Sequence, residues 1–340
     1  MRVFVTGDRG YIGSTLVPML QKENYDVIGL DTEYFTKLLD ASSLPQYTSI
    51  KKDMRDVSKE DLRGVDSIIH LAALSNDPMG ALDNGLTEKI NFKASVRLAK
   101  LAKKCGVKRF LFSSSCSIYG IGKEAVVSEK SSVNPLTAYA KSKIATEKAL
   151  QKLADKNFVV GLLRNSTVYG YSPVFRDDLV VNNFTACAVA TKKIQVMSDG
   201  SPWRPLIDVR DLSKIFIVFL KKEEKKINGE VINIGFNENN FQVKTVLNLV
   251  ENAVKGCKVV YTGEHGKDTR SYKVSFEKFS KLFPEIQQKW SLKKSIKDLT
   301  KHLQNGKFTK EDFLNHTYTR LEQLKNLKDK GKLSDDLYWY

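Results

Sequence analysis

The sequence predicts an α/β fold, a Rossmann-type doubly wound parallel sheet followed by a smaller C-terminal lobe. Three observations support this prediction. Short apolar runs alternate with amphipathic stretches from Arg2 to about Phe112, a glycine-rich turn follows the first run, and the alternation loosens after about Val168. Regular alternation of strand and helix is typical of parallel sheets that carry helices on both faces.

Four apolar runs in the N-terminal third have the length and composition of buried strands. Each is rich in strand-forming residues and is bounded by turn formers or polar residues. The runs are RVFVT, YDVIGLD, SIIHLAA and RFLFSSS. Between the last two, Leu86–Lys104 has apolar residues at helical spacing and stops just before Gly106, which predicts a helix with a glycine near its C-terminal cap.

The composition suits a large globular chain. Of the 340 residues, 41% are hydrophobic, which is enough for a buried core with a smaller cap. No apolar run approaches the roughly 20 residues that span a bilayer. The N-terminus MRVFVTGDRGYIGS lacks the regions of a signal peptide, which predicts a cytoplasmic protein. The four scattered cysteines show no metal-binding spacing and are predicted to be free thiols.

The formal net charge of +16 raises the question of a nucleic-acid partner. The excess is mostly lysine spread along the chain, and we find no RNA-recognition motif, zinc finger or basic region that leads into heptads. We therefore interpret the charge as a solvated lysine-rich surface, whose positive field also suits a small ligand that carries phosphate. Nucleic acid is not an expected partner.

The segment VFVTGDRGYIGSTL predicts a dinucleotide site, because it places Gly7, Gly10 and Gly13 between a strand and an amphipathic helix. The first glycine permits a tight turn, the second lets the backbone approach a diphosphate, and the third lets helix pack on strand. The N-terminus of the helix then offers free N–H groups to the diphosphate.

Acidic residues at the next two strand ends complete this predicted site. Asp31 ends the second strand, where a carboxylate accepts hydrogen bonds from both ribose hydroxyls and repels a 2′-phosphate, which favours NAD over NADP. Asp53 lies in the segment KKDMRD, after a third strand that precedes the run SIIHLAA. With Met54 beside it, Asp53 is placed to meet the adenine. A capping aspartate and an ordinary loop are the alternative interpretations.

Tyr139 and Lys143 predict proton chemistry, because residues four apart lie on one face of a helix. A lysine ammonium and a positively charged nicotinamide would both lower the tyrosine pKa from about 10. Such a tyrosine can take a proton from a hydroxyl as hydride leaves its carbon. Ser115, at a strand end, would give a second hydrogen bond to the same oxygen. An incidental Tyr–Lys pair on a helix is the alternative.

Four motifs in this order, TGxxGxxG, HLAA (His70–Ala73), SSSxxxYG and YxxxK, resemble the extended short-chain dehydrogenases. Within them the chain resembles the NAD-dependent sugar epimerase/dehydratase family, over about residues 1–300. The resemblance implies NAD as cofactor and Ser115, Tyr139 and Lys143 as the catalytic triad. The other residues that it implies at or beside the cofactor are Tyr11, Ile12, Leu71, Ala72, Ala73 and Asn91.

Two departures from the family pattern narrow the expected chemistry. The family's 4,6-dehydratases carry adjacent acidic residues where this chain has Cys116 and Ser117, so dehydration is disfavoured. Epimerisation, or oxidation or reduction at C4, then remains. Thr167 stands where the best-known epimerases place an asparagine, which weakens a prediction of galactose epimerisation.

The resemblance also implies a nucleotide-diphosphate sugar as substrate. Arg204 and Arg270 match family positions that meet the diphosphate, and the planar guanidinium fork suits phosphate oxygens. Asn182 is the polar contact expected from the segment SPVFRDDLVVNNF, and Ser117 and Thr167 are expected on the sugar side. Surface salt bridges are the alternative for the arginines.

We predict three parts for the chain: an NAD-binding domain over 1–168 that holds the catalytic residues, a region over 169–315 that is mainly a substrate-binding lobe with a segment returning to the first domain, and a helical tail over 316–340. The family also implies a homodimer through Leu86–Lys104 and Tyr139–Leu153. Two other functions stay open, namely a short-chain reductase or dehydrogenase acting on a non-sugar ketone or alcohol and a non-catalytic RNA-associated protein.

Overall fold

The computed structural model describes residues 1–35, 45–121, 124–262 and 271–340. Within them, seven strands form one parallel sheet in the order β11-β7-β5-β4-β1-β2-β3. The strands are β1 (Arg2–Thr6), β2 (Asp26–Asp31), β3 (Thr48–Lys51), β4 (Ser67–His70), β5 (Arg109–Ser115), β6 (Val126–Val127), β7 (Val159–Asn165), β8 (Thr167–Tyr169), β9 (Lys193–Val196), β10 (Trp203–Asp208), β11 (Glu230–Ile234), β12 (Asn240–Gln242), β13 (Lys258–Tyr261) and β14 (Lys273–Val274). This sheet confirms the predicted fold class.

Helices cover both faces of the sheet. They are α1 (Gly13–Lys22), α2 (Asp77–Gly80), α3 (Asn84–Thr87), α4 (Ser95–Lys104), α5 (Ala138–Gln151), α6 (Val180–Thr191), α7 (Val209–Lys221), α8 (Glu224–Ile227), α9 (Val243–Ala253), α10 (Glu277–Leu282), α11 (Leu292–Asn305), α12 (Lys310–Leu314) and α13 (Arg320–Asp329). Successive side chains of a strand face opposite sides, so β5 sends Phe110 and Phe112 into one apolar core and Leu111 into the other. The first core lies under α4 and α5, and the second lies under α1 and α7.

The predicted helix over Leu86–Lys104 is interrupted by a wider turn. A π-helical segment, Glu88–Ala94, lies between α3 and α4. Helical spacing of apolar residues does not reveal such a widening, because the residues on either side keep facing the core. π segments occur often at functional sites, and this one carries Asn91.

A second lobe follows the sheet and has its own core among α6, α9 and α11. Three short strands, β8, β10 and β12, form its central sheet, and β9 pairs with β13. Meanwhile β11 pairs with β7 and so lies in the main sheet. The division at 168 and 315 stays a prediction.

The C-terminal segment, residues 320–340, packs on the first core, whereas Tyr318 just before it packs against α6 and α11. Leu324 of α13 and the later Leu333 and Leu337 are buried in the same cluster as Phe4 and Leu30. None of the described helices has the length and apolar composition to cross a lipid bilayer.

The order of strands places a cleft at the carboxyl end of β1. The chain runs outward from β1 through β2 to β3 on one side and through β4 and β5 on the other. Ligands of open parallel sheets bind at such a reversal point.

Candidate active site

The glycine-rich turn after β1 has no room for side chains at two positions. Gly7 has a φ of +75°, and a Cβ atom there would lie 2.9 Å from the backbone N of Ala72. A Cβ atom on Gly13 would lie 2.2 Å from the carbonyl oxygen of Gly7. The turn therefore keeps its backbone bare at the start of α1, which is the geometry that a dinucleotide diphosphate requires.

A cavity of about 120 Å³ lies beside this turn. Most of the predicted cofactor contacts line it, and the structure thus brings together residues from the ends of several strands. They are Gly7, Gly10, Tyr11, Ile12, Gly13, Asp31, Asp53, Met54, Leu71, Ala72 and Ala73. We call this the dinucleotide cavity. Its residues fit an NAD molecule, because a bare turn that suits the diphosphate and the predicted ribose contact Asp31 line the same cavity.

Asp31 sits in an unusual electrostatic setting. Its Oδ1 accepts a hydrogen bond from the backbone N–H of Glu33 at 2.7 Å. Burial and the nearby Asp8 carboxylate raise the pKa of Asp31 to about 6. Asp8 is fully buried and accepts hydrogen bonds from Tyr47 Oη at 2.6 Å and Ser49 Oγ at 2.8 Å. Sequence reasoning missed Asp8, although an acid inside a glycine-rich turn was a visible signal.

Asp53 is held in place by its neighbour Arg55. Its two carboxylate oxygens accept from Arg55 Nε at 2.9 Å and from a terminal guanidinium nitrogen at 2.7 Å. Met54 beside it is buried. The pair thus lines the dinucleotide cavity with one fixed carboxylate and one apolar side chain.

A larger cavity of about 470 Å³ adjoins the first and is lined by the ends of β5, β7 and β8 and the start of α5. We call this the substrate cavity. The two cavities share part of their walls. The shared residues are Tyr11, Ile12, Leu71, Ala73, Ser75 and Arg176. A ligand of dinucleotide length can therefore reach from one cavity into the other.

The predicted triad lines the substrate cavity. Ser115 ends β5, and α5 brings Tyr139 and Lys143 to the same wall. Thr137 caps α5, its Oγ1 accepting from the backbone N–H of Ala140 at 3.1 Å. Lys143 Nζ donates to the carbonyl oxygen of Ser113 at 2.7 Å and lies 5.6 Å from the ring centroid of Tyr139.

Burial dominates the proton affinities of the triad. It raises the pKa of Tyr139 to about 12, with Asp77 adding to the rise and a hydrogen bond with Ser115 and the charge of Arg176 opposing it. Burial lowers the pKa of Lys143 to about 7, against the attraction of Glu147. The predicted lowering of the tyrosine pKa is therefore not a property of the chain alone.

A buried ion pair anchors α5 behind the triad. Glu147 accepts from Arg164 of β7 at 2.7 Å and from Ser114 Oγ of β5 at 2.5 Å. Arg164 also donates to Tyr119 Oη at 3.1 Å. The helix is thereby tied to both strands that end at the substrate cavity.

Asn91 supports the cofactor wall and does not line either cavity. Its side chain accepts from the backbone N–H of Leu74 at 2.8 Å and donates to the carbonyl oxygen of Leu74 at 3.1 Å. Leu74 itself lines the dinucleotide cavity. The π-helical segment thus fixes the loop after β4.

The predicted substrate contacts divide into three groups: residues that line the substrate cavity, one that is fully buried, and one that lies outside the described residues. Ser117, Thr167 and Arg204 line the substrate cavity. Asn182 is fully buried, and its amide bonds to Gly170 N–H, Tyr11 Oη and the Arg176 carbonyl oxygen.

The next residue along α6, Asn183, lines the cavity in place of Asn182, because successive helical residues point about 100° apart. Arg270 lies outside the described residues.

Sequence reasoning missed several polar residues of the substrate cavity. Arg176 is buried and bonds Asp178 at 2.8 Å and Ser75 Oγ at 3.0 Å. The charged run Arg176–Asp178 between the apolar runs PVF and LVV was a signal that could have found them. Ser117 Oγ and Asn165 Oδ1 are buried without a hydrogen-bond partner among the described residues, which suits a ligand rich in hydroxyl groups.

No group of metal-binding side chains occurs among the residues that the structure describes. Cys116 lines the substrate cavity but is almost fully buried. Its Sγ donates to the Arg164 carbonyl oxygen at 3.2 Å, and burial raises the pKa of the thiol.

The sequence matches a known protein family and is similar to individual members of it. A sequence model of the NAD dependent epimerase/dehydratase family matches residues 3–235. The chain is 30% identical over 264 residues to the uncharacterized UDP-glucose epimerase YtcB of Bacillus subtilis, covering 74% of this chain and 81% of that protein. It is 25% identical over 330 residues to the dTDP-D-glucose 4,6-dehydratase of Bos taurus, covering 90% of each.

The fold is also similar to that of a solved enzyme. The UDP-glucose 4-epimerase of Thermotoga maritima, solved with UDP-glucose, matches with a TM-score of 0.78 and 24% identity, covering 90% of this chain and 99% of that one. At this identity the likeness concerns the fold alone. The relatives include epimerases and a dehydratase, so they do not separate these two reactions.

Proposed function

Because this chain belongs to the NAD-dependent epimerase/dehydratase family, we propose that it oxidises and reduces the sugar ring of a nucleotide-sugar, as an epimerase or a C4 oxidoreductase. The observation that carries this proposal is the meeting of Ser115, Tyr139 and Lys143 in one cavity wall that adjoins the dinucleotide cavity. NAD as the cofactor follows from the family itself and agrees with the glycine-rich turn and Asp31.

The triad supplies the proton chemistry of this reaction. Tyr139 takes the proton of the sugar hydroxyl, and Ser115 donates a hydrogen bond to the same oxygen. When bound, NAD supplies the acceptor for the hydride that leaves the sugar carbon. Since burial raises the pKa of Tyr139 to about 12, the phenol needs nearby positive charge to act as a base near neutral pH. Lys143, held by the Ser113 carbonyl oxygen, is positioned to provide part of it.

Dehydration is disfavoured in this proposal. The positions after β5 that carry acids in the 4,6-dehydratases hold Cys116 and Ser117, and neither can act as a carboxylic acid. Two carboxylates of the described residues do line the substrate cavity, Asp77 and Asp178. Asp178 is bound to Arg176, and Asp77 accepts from Thr137 Oγ1 at 2.6 Å. Both are therefore engaged in contacts that orient the wall.

Two arginines support a substrate that carries a diphosphate. Arg204 lines the substrate cavity from β10, and Arg176 lies where the two cavities join. A guanidinium binds phosphate oxygens through two parallel hydrogen bonds. A ketone or alcohol without a diphosphate would leave this part of the cavity without a ligand group.

The direct test is mass spectrometry of small molecules released from the purified protein, followed by turnover assays with UDP-, dTDP- and GDP-sugars. Bound NAD and an interconverted sugar without net NADH would identify an epimerase, whereas NADH with a keto-sugar would identify a C4 oxidoreductase. Formation of a 4-keto-6-deoxy sugar would contradict the argument against dehydration. If no dinucleotide binds and no nucleotide-sugar raises the melting temperature, the proposal is wrong.

A homodimer through α4 and α5 is part of the proposal. A surface groove along the π-helical segment and α4 exposes Phe92 and Val96, but Lys93 and Lys100 lie in the same groove. Like charges that meet across a twofold axis repel less when salt screens them. Size-exclusion chromatography with light scattering at low and high salt should therefore show more dimer at high salt, and a monomer at both would remove this prediction.

A further inference from the structure

The C-terminal segment, residues 320–340, contributes one side chain to the lining of the dinucleotide cavity. Arg320, the first residue of α13, lines this cavity although it lies some three hundred residues after the glycine-rich turn. Leu324, Leu333 and Leu337 fix the segment in the same apolar core as Met54. The segment is therefore a packed part of the domain and not a loose appendage.

The end of the segment also holds the strand ends that carry the predicted adenosine contacts. Trp339 Nε1 donates to the carbonyl oxygen of Thr32 at 2.6 Å, and Tyr34 Oη donates to the carbonyl oxygen of Leu337. Thr32 directly follows Asp31 in the chain. These contacts set the position of the loop beyond β2 and hence of the cavity wall around Asp31.

A second contact reaches the loop after β3. The guanidinium carbon of Arg55 lies 3.8 Å from the ring centroid of Tyr338. Arg55 in turn holds Asp53 by two hydrogen bonds from its side chain. The C-terminal segment thus braces both of the loops that carry an acid of the dinucleotide cavity.

Arg320 is a buried cation without an ion pair among the described residues. Its side chain hydrogen-bonds to neutral acceptors, Gln323 Oε1 at 3.2 Å and the Val174 carbonyl oxygen at 3.4 Å, and lies over the Phe35 ring at 4.2 Å. Only 2% of the residue is exposed. Burial and the repulsion of Arg176 lower the pKa of Arg320 to about 9. The carboxylates of Asp178, Asp31 and Asp177 oppose this lowering from a distance, but none of them forms a salt bridge with Arg320 among the described residues. A buried charge without a salt-bridge partner is costly, so an anion bound in this cavity would offset part of that cost.

The glycine-rich turn, which lines the same cavity, indicates which anion this is. Gly7, Gly10 and Gly13 line the same cavity, and the diphosphate of a dinucleotide lies against such a turn. Among the described residues of this cavity the cations are Arg176 and Arg320. Arg176 is already paired with Asp178 at 2.8 Å. Arg320 has no salt bridge among the described residues, which makes it the better candidate of the two for a phosphate in this cavity, whereas Arg176 also lines the substrate cavity.

We propose that Arg320 binds the diphosphate of NAD, and that the packing of the C-terminal segment 320–340 on the first core holds this arginine in place. The inference rests on the dinucleotide half of the proposed function and is independent of which sugar is bound. It gives the C-terminal segment a role in cofactor affinity.

The test is calorimetric titration of the NAD-free protein with NAD, ADP and adenosine. Arg320→Met should weaken NAD and ADP binding roughly 10- to 100-fold, the worth of a charge-assisted hydrogen bond. Adenosine, which has no phosphate, should bind within about twofold of wild type by the same reasoning. Lys325→Met removes an exposed charge from the same helix and should leave all three affinities unchanged.

A merely structural role for Arg320 gives a different result. Arg320→Met would then melt at a lower temperature, and its ratio of ADP to adenosine affinity would stay that of wild type. That unchanged ratio would overturn the proposal. If wild type binds neither NAD nor ADP, the proposed function fails together with this inference. If wild type binds both and the variant binds them equally well, only the inference fails.

A second measurement does not depend on the folding of a variant. Hydrogen–deuterium exchange of the wild-type protein should slow in peptides that cover the start of α13 when ADP or NAD is added. Adenosine should slow it less, since only the diphosphate reaches Arg320. Equal exchange with and without ADP at saturating concentration would contradict a contact between the diphosphate and this helix.

Discussion

Single residues of the site owe their proton affinities to burial more than to their neighbours in sequence. Burial is the largest influence on Asp31, Tyr139 and Lys143, and it shifts each pKa toward the neutral form of the group. Desolvation penalises a charge whatever its sign. A bound ligand of opposite charge would therefore favour the charged forms of these groups.

Tyr139→Phe should abolish turnover while leaving binding intact. The change removes the group that takes the sugar proton, and general-base catalysis is commonly worth about 10²- to 10⁴-fold in rate. Turnover of the identified nucleotide-sugar and calorimetric NAD affinity would be measured on the same preparation. Tyr171→Phe serves as the control, because Tyr171 stacks on His302 at 3.7 Å outside both cavities. Full turnover by Tyr139→Phe would refute the assignment of the base.

NAD affinity should fall below about pH 6, where Asp31 with its raised pKa takes up a proton. In the predicted contact the ionised carboxylate would accept hydrogen bonds from both ribose hydroxyls, so the protein would have to lose this proton before it binds NAD. The affinity should then drop by up to about tenfold per pH unit below the pKa. Titrations at pH 5 and 7.5 measure this, and Asp31→Asn should show no such dependence. An equal wild-type affinity at both pH values would contradict the role of Asp31.

Different kinds of contact position the helices and turns that line the site. The glycine-rich turn and α1 are neighbours in sequence, and their geometry is local. Helix α5, by contrast, takes its place through Glu147, which contacts Ser114 of β5 and Arg164 of β7. The π-helical segment acts similarly, since Asn91 holds the loop after β4. The wall that carries Ser115, Tyr139 and Lys143 is thus assembled by buried polar contacts between elements.

Glu147→Ala should lower the free energy of unfolding by about 3–5 kcal/mol, because it leaves the buried Arg164 guanidinium without its partner. Urea denaturation monitored by circular dichroism measures this loss. The matched control is Glu277→Ala, whose ion pair with Lys281 is exposed on both sides. The control should keep the wild-type midpoint. If both variants unfold at the same urea concentration, the buried pair does not anchor α5.

The whole molecule is tied together by its C-terminal segment. Leu324, Leu333 and Leu337 share an apolar core with residues from the first strands of the chain. The segment therefore closes the N-terminal domain, and the cofactor wall depends on residues from both ends of the sequence. A destabilising substitution in the segment should therefore also lower the stability of the main sheet.

Leu337→Ala should destabilise the molecule by about 2–5 kcal/mol, as for other buried leucines that leave a cavity, since Leu337 is fully buried. The main sheet and the C-terminal segment should unfold in one transition, at a lower temperature than in wild type. Far-ultraviolet circular dichroism would follow the unfolding of the sheet, and tryptophan fluorescence would follow that of the segment. Leu314→Ala is the control, because Leu314 is 55% exposed. A separate early transition of the tail alone would show that it is not part of the core.

The sequence by itself determined the fold class, the family and its NAD dependence, and these predictions are confirmed. The binding of the cofactor diphosphate at the glycine-rich turn stays a prediction. Each confirmed prediction rests on a short-range pattern, since the strand alternation and the glycine spacing follow from local steric rules. The spacing of Tyr139 and Lys143 is local in the same way. Their shared place in the cavity wall agrees with the prediction, and their catalytic role stays a prediction.

Only the tertiary structure decided which residues of looser patterns face the site. It brought Asn183 rather than Asn182 to the substrate cavity and placed Arg176 where the cavities join. It also set Arg320 beside a turn that begins at Gly7. Contacts over such distances depend on how all the helices pack. Many surface arginines and asparagines satisfy the same local rules, so a single sequence does not show which of them the packing will enclose.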